Sequence, residues 1–79
     1  MTDGDDLYLE RRDASRNMAR FYAFSVEQDL FGALLAVRRW GRIGTRGRTV
    51  SLPCPDMKSA RAALESVVVS KRQRGYSEP

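Results

Sequence analysis

The stretch Arg38-Arg39-Trp40-Gly41-Arg42-Ile43-Gly44-Thr45-Arg46-Gly47-Arg48 decides how this chain folds and what it contacts. It contains the only tryptophan of the chain, five arginines, three glycines and no acidic residue. Glycine adopts positive φ readily, so the spacing predicts a hairpin turn over residues 44–47. Unpaired like charges repel one another, and such a density of arginine therefore favours a polyanionic partner. The indole among these arginines offers a surface on which a nucleotide sugar or base can pack.

Three segments upstream of this turn predict β-strands. Residues 7–12 alternate between apolar and polar side chains, as a half-buried strand does. The aromatic and β-branched content of residues 18–27 favours a second strand, although a helix is also compatible with it. Residues 33–41 begin apolar on both faces, which predicts a third strand in the middle of the sheet.

The sequence after the turn predicts one more strand and then a helix. Residues 48–52 alternate with Val50 and Leu52 inward, and the prolines at 53 and 55 are expected to end the strand. Asp56 suits a helix N-cap, and Gly75 suits the position after the helix end. Between them, one apolar stripe at helical spacing is formed by Ala60, Ala63, Leu64, Val67 and Val68. The predicted fold class is α+β: a four-stranded antiparallel sheet followed by one C-terminal amphipathic helix packed on one face, with the other face left open to a partner.

The length of the chain and the distribution of its charge limit the number of domains and indicate the kind of partner. Its 79 residues make one domain, because a second would be too small to bury a core of its own. We predict a disordered acidic tip at residues 1–6, a domain at residues 7–76 and a tail at residues 77–79. The net charge is +4, but the first ten residues hold four acids and no base, so the remainder carries +8. A basic body favours an anionic partner such as nucleic acid.

The run Trp40-Gly41-Arg42, continued by Ile43-Gly44-Thr45, resembles the signature of the WGR domain. The resemblance covers about residues 7–76 and includes the apolar strand before the signature and the basic strand and helix after it. WGR domains occur in DNA-dependent poly(ADP-ribose) polymerases and as small stand-alone bacterial proteins. In the polymerases the matching tryptophan packs against the sugar of a nucleotide at a strand break, which would make Trp40 the stacking residue. The arginine that matches Arg42 joins the polymerase module to neighbouring domains.

The candidate nucleic-acid-binding residues come from the basic turn and from the basic end of the helix. They are Trp40, Arg42, Arg38, Arg39, Gly44, Thr45, Arg46, Arg48, Lys71, Arg72 and Arg74. Strand alternation places Arg38, Trp40 and Arg42 on one side, and we predict a partly exposed indole, ringed by guanidinium groups, on the uncovered face of the sheet. Each candidate also has a purely structural interpretation: Trp40 in the core, the glycines in turn geometry, and the helix-end cations as capping residues. A further basic cluster surrounds the first connection, at Arg11, Arg12, Arg16, Asn17 and Arg20.

These observations favour a non-catalytic nucleic-acid-binding module, with DNA preferred over RNA. The chain has no histidine, one cysteine and no recognisable catalytic motif, so we expect no enzymatic activity, no cofactor and no metal. The alternative function is a protein-interaction adaptor that docks a partner protein through Trp40 and Arg42. We expect a cytoplasmic location, nucleoid-associated in a bacterium, because neither a signal peptide nor an apolar run of about 20 residues is present. The sheet edges allow a monomer or a weak homodimer.

Overall fold

The computed structural model describes residues 7–79, so the acidic tip predicted for residues 1–6 lies outside the described residues. The described chain forms β1 (Leu7–Asp13), β2 (Met18–Gln28), β3 (Leu34–Arg42) and β4 (Arg48–Cys54), followed by α1 (Met57–Gln73). The strands pair antiparallel in the order β1-β2-β3-β4, and α1 packs on one face of the sheet. The predicted α+β class is therefore confirmed.

The ends of α1 follow the two capping signals in the sequence. The Asp56 carboxylate accepts a hydrogen bond from the backbone N–H of Ser59 at 2.7 Å, as an N-cap does. This hydrogen bond lowers the pKa of Asp56. After the helix, Gly75 adopts a φ of 97°, a left-handed conformation that glycine takes without steric strain. Both predicted helix boundaries are confirmed.

The core lies between α1 and the covered face of the sheet. The helix begins just after β4 and packs chiefly over β3, and the residues that follow it reach β1, so the helix and the segment after it together cross the sheet from one edge to the other. This geometry buries the apolar side chains of the central strands beneath the helix. The buried cluster consists of Leu9, Tyr22, Phe24, Val26, Ala36, Ala60, Leu64 and Tyr76.

Strand β4 differs from the sequence prediction in two ways. Val50 and Leu52, predicted inward, are 41% and 52% exposed, because they lie beside the helix rather than beneath it. The strand also continues through Pro53 to Cys54 instead of ending at the proline. A proline is tolerated there because β4 is an edge strand and needs no N–H at every position.

The β3–β4 hairpin closes two residues earlier than predicted. The turn proper runs from Arg42 to Thr45, whose backbone N–H and side-chain Oγ1 both donate to the Arg42 carbonyl, at 3.0 and 2.7 Å. Gly44 and Gly47 have φ values of 93° and 73°, so the predicted need for positive φ is confirmed. A Cβ on Gly47 would collide with the Trp40 carbonyl, and one on Gly41 would lie 2.8 Å from the Gly47 Cα. The two glycines therefore allow the two arms of the hairpin to approach each other closely.

The residues after α1 attach to the sheet. Ser77 exchanges two backbone hydrogen bonds with Glu10 on the outer edge of β1, at 2.8 and 3.0 Å. An ion pair of 3.1 Å between Arg72 and Glu78 holds the same segment against the helix end. The tail predicted for residues 77–79 thus extends the sheet at one position. No helix within residues 7–79 is both long and apolar enough to cross a membrane.

Candidate functional site

Trp40 lies on the helix-covered face of the sheet, and the prediction of the uncovered face was wrong. Its register partners are Tyr22 on β2 and Arg48 on β4. Trp40 shares its face with Leu34 and Ala36, and both of these residues pack in or against the core beneath α1. The indole is only partly buried, however, because it lies at the margin of the area that the helix covers.

The Trp40 indole is the outer member of an aromatic stack. It lies parallel to the Tyr22 ring, with centroids 5.6 Å apart and an interplanar angle of 11°. Tyr76 meets Tyr22 edge-on at 5.6 Å, and the Lys71 Nζ lies 4.6 Å from the centroid of the Tyr22 ring. The Arg38 guanidinium lies 5.7 Å from the centroid of the indole. Packing therefore fixes the plane of the Trp40 indole before any ligand arrives.

Three arginines lie directly opposite one another across three strands. Arg11 on β1 pairs with Arg20 on β2, which pairs in turn with Arg42 on β3. Side chains at such positions are about 5 Å apart at Cβ, and like charges there destabilise a sheet. The Arg42 guanidinium donates to the backbone carbonyl of Asn17 at 3.2 Å and to its side-chain oxygen at 3.4 Å, which orients the guanidinium. We call Arg11, Arg20 and Arg42 the arginine row.

The arginine row and the aromatic stack line one cleft of about 550 Å³. Among the described residues, five cations and no acid line it; this lining comprises Arg11, Arg20, Phe21, Tyr22, Trp40, Gly41, Arg42, Lys71, Arg74 and Tyr76. The next residue on the same face of β1, Asp13, is engaged by the Ser15 hydroxyl at 2.6 Å and by Arg16 at 3.7 Å. The Ser15 hydrogen bond is the main cause of a lowered pKa at Asp13. We call this site the basic cleft.

The remaining predicted site residues divide between the surroundings of the cleft and other surfaces. Arg48 is exposed beside Trp40 on β4, and Gly44, Thr45 and Arg46 are exposed in the hairpin loop. Arg39 points to the opposite face, where its guanidinium lies 4.8 Å from the Phe21 centroid and donates to the Arg46 carbonyl at 2.9 Å. Arg72 is ion-paired with Glu78 and does not line the cleft. The structure therefore brings Trp40, Arg42, Lys71 and Arg74 together and separates Arg39 and Arg72 from them.

Six lining residues are missing from the candidates that the sequence suggested: Arg11, Arg20, Phe21, Tyr22, Gly41 and Tyr76. The sequence shows Arg11 and Arg20 in a basic cluster near the first connection. Whether they lie near Trp40 depends on strand register. Tyr22 and Tyr76 reach the cleft because β2 and the segment after α1 both contribute to its floor. Arg20 and Tyr22 alternate with Phe24 along β2. This alternation identifies them as site residues only when the pairing of β2 with β3, the strand that carries Trp40, is already known.

The fold and the cleft define a small α+β domain with a basic surface site that aromatic side chains line at its base. The sequence matches the family model of the WGR domain over residues 5–79, and the chain belongs to the WGR domain family. It is also similar to an uncharacterized protein, y4dW, of Sinorhizobium fredii (strain NBRC 101917 / NGR234), with 46% identity over 70 residues. The match covers 89% of this chain and 34% of y4dW, so the chain spans about a third of the length of that curated relative. No solved structure matches the chain.

Proposed function

We propose that this chain is a non-catalytic nucleic-acid-binding module that grips DNA in the basic cleft. The arginine row, with Lys71 and Arg74, would contact consecutive phosphates, and Trp40 would pack on a sugar or base at the mouth of the cleft. Guanidinium groups suit this role because their planar fork binds phosphate oxygens in a bidentate manner. Membership of the WGR domain family supports the proposal, since this domain is known in nucleic-acid-binding contexts.

The observation that carries the proposal is the arginine row itself. Three guanidinium groups on directly opposite positions repel one another, and within residues 7–79 no acidic side chain lines the cleft. Asp13 on the same face of β1 attracts Arg11, but it also contacts Ser15 and Arg16. An anion that enters the cleft relieves the repulsion and releases condensed counterions from the nucleic acid at the same time. The partly exposed indole beside the row gives such a chain a flat surface for its sugars or bases.

The sharpest test exchanges charge at two neighbouring residues of β1. Arg11 lines the cleft, whereas Arg12 lies on the other face, where it pairs with Glu10 at 3.3 Å. Arg11→Glu and Arg12→Glu change the net charge equally, so a general electrostatic attraction would weaken with both. If the cleft binds DNA, only Arg11→Glu causes a large loss of affinity for a labelled duplex, measured by fluorescence anisotropy at low salt. Equal losses for the two variants, or no binding by the unaltered chain, would contradict the proposal.

The nature of the nucleic acid is tested with a panel of probes. Blunt duplex, nicked duplex, single-stranded DNA and RNA are titrated at low and at physiological salt, with emission from Trp40 as the readout. Because Trp40 is the only tryptophan in the chain, any change in emission reports on the cleft directly. The resemblance to the polymerases predicts that ends and nicks bind more tightly than intact duplex, and an equal response to all four probes would argue against that preference.

A further inference from the structure

The connection between β2 and β3 exposes two adjacent large apolar side chains. Leu30 is 98% exposed and Phe31 is 94% exposed, so neither contributes to the packing of its own domain. Single apolar residues on a surface are ordinary, but an adjacent leucine and phenylalanine that are both fully solvated mark a contact surface. We call these two residues the apolar tip.

The apolar tip is held in a well-defined loop. The Asp29 carboxylate accepts hydrogen bonds from the backbone N–H groups of Phe31 and Ala33, at 2.8 and 2.9 Å. The Gln28 side-chain amide donates to the Gly32 carbonyl at 3.1 Å, and Gly32 takes a φ of 83°. These hydrogen bonds order the loop without any help from the side chains of the tip. The fold therefore presents the tip as a preformed feature, which lowers the entropy lost when a partner binds it.

A complementary groove lies between α1 and the first two strands of the same chain. This groove has a volume of about 240 Å³, enough for a phenyl ring. Its lining is largely aliphatic and aromatic, with one base and one acid, and comprises Leu7, Phe24, Val26, Arg61, Leu64, Glu65 and Val68. We call it the apolar groove. The lining gives an apolar side chain of a partner several carbon atoms to pack against.

We propose that the chain forms a weak homodimer in which the apolar tip of one copy inserts into the apolar groove of a second copy. Each copy carries both halves of the contact, and their chemistry and size match. Val26 of the groove and Leu30 of the tip lie four residues apart, at and just after the end of β2, so the tip and the groove belong to the same end of the sheet. In a two-fold dimer each tip pairs with the groove of the other copy. The carboxylates of Glu27 and Asp29 next to the tip disfavour an anionic membrane surface as the alternative partner.

The contact leaves the basic cleft free. The tip follows Gln28 at one end of β2, whereas Arg20 and Tyr22 of the cleft lie toward the other end. Burying one phenylalanine and one leucine per tip removes a few hundred Å² from water, well below the roughly 1,200–2,000 Å² of a standard stable interface. The dimer is therefore weak, and it forms as the concentration rises from micromolar to millimolar.

Sedimentation velocity across that concentration range, without nucleic acid, tests the proposal. The average mass of the unaltered chain is expected to rise toward that of a dimer, and that of Leu30→Ser with Phe31→Ser to stay at the monomer. The tip residues are almost fully exposed, so this double variant keeps its fold, which circular dichroism verifies. Val69→Ser is the matched control, because Val69 is a 49% exposed apolar residue on the helix that lies outside the groove, and it should associate like the unaltered chain.

A second measurement identifies the groove. Backbone amide NMR shifts of Leu7, Val26 and Val68 should move with concentration in the unaltered chain and stay fixed in the tip variant. A monomer at millimolar concentration, or a dimer that survives the tip variant, overturns the proposal. So does tip-dependent binding to phosphatidylglycerol vesicles by a chain that does not self-associate. Since no nucleic acid is present, failure here leaves the proposed function of the cleft untouched.

Discussion

The two faces of the sheet carry the same kinds of residue in different electrostatic settings. On the helix-covered face, Tyr22 stacks on Trp40 with Arg38 above the indole. On the open face, Tyr8 stacks on Phe21 at 5.9 Å with Arg39 above that ring. An aromatic pair under a guanidinium is thus present twice, and the residue types alone do not distinguish the two surfaces.

The difference lies in what the charges and polar groups of each face already contact. On the open face the Tyr8 hydroxyl donates to Glu10 at 2.8 Å, and Arg12 pairs with the same carboxylate. A backbone contact does not separate the two faces, because Arg39 donates to the Arg46 carbonyl and Arg42 of the cleft donates to the Asn17 carbonyl. In the part of the chain that the structure describes, the basic cleft has no acidic lining residue, and its arginines lie opposite one another. The proposed binding surface for a polyanion thus differs from the open face in the acidic groups that line it within residues 7–79, and not in its count of arginines.

The largest expected effect comes from reversing charge on two members of the arginine row. Arg20→Glu with Arg42→Glu should weaken DNA binding by about 10²–10⁴-fold, because each charge-assisted hydrogen bond contributes about 1.5–3 kcal/mol. The matched variant on the open face, Arg12→Glu with Arg39→Glu, changes net charge equally and should cost much less. Anisotropy titrations of both double variants measure the contrast. Similar losses of affinity for the two double variants would show that the two faces do not differ in DNA binding.

The next largest effect concerns the aromatic residues. Trp40→Ala should weaken binding by about 1–3 kcal/mol, the usual contribution of one aromatic side chain that stacks on a base. Trp40→Phe should recover part of the loss, because a smaller flat ring remains beside Tyr22. Tyr8→Ala on the open face is the control and should leave the dissociation constant nearly unchanged. A greater loss for Tyr8→Ala than for Trp40→Ala would move the binding surface to the open face.

A smaller effect should appear in the salt dependence. If about four phosphates are neutralised on duplex DNA, log K falls with log salt at a slope of about −3.6. Arg20→Gln removes one such contact and should reduce the magnitude of the slope by about 0.9, whereas Arg39→Gln should not change it. Titrations at several salt concentrations give both slopes. A slope near zero for the unaltered chain would show that phosphate contacts do not drive binding.

The smallest effect is a titration on the open face. Desolvation raises the pKa of Tyr8, and the hydrogen bond to Glu10 raises it further. Because the folded-state pKa is raised, the stability from this group is fully present below the unfolded pKa of about 10 and is lost as the pH rises through the folded value. Glu10→Gln should bring the pKa closer to 10, as followed by ultraviolet absorbance with Tyr8→Phe as the reference. An unshifted Tyr8 titration in the unaltered chain would show that the Glu10 contact does not persist in solution.

The sequence predicted the elements of the fold better than the site that they build. Alternation, an apolar stripe and two caps are local signals, and they were sufficient for the four strands and for α1 between Asp56 and Gly75, which flank it. The arginine row depends on register, which is set by the turn after Asp13 and by the left-handed Asn17, whose φ is 53°. Amino-acid composition does not determine that register. A one-residue slip would move Arg20 to the opposite face.

Local sequence signals also do not determine on which face of the sheet Trp40 lies. Strand β3 is apolar on both sides near Leu35 and Ala36, so alternation groups its residues without saying which group the helix covers. That choice depends on the path of α1 over the sheet and on the attachment of the residues after it to β1. The exposure of Val50 and Leu52 has the same origin, because the helix does not cover the margin of the sheet where these residues lie.

The pairing of Ser77 with Glu10 brings the two ends of the described chain to the same border of the sheet. The two segments run antiparallel there, so the residues after Ser77 head toward the start of β1. A short linker from Pro79 to Leu7, with new termini opened between Leu30 and Phe31, would give a circular permutant. Such a rearranged chain would keep every contact around Trp40 and remove only the continuity of the apolar tip. It would separate the two proposed interactions of the molecule by connectivity, with every side chain of residues 7–79 unaltered.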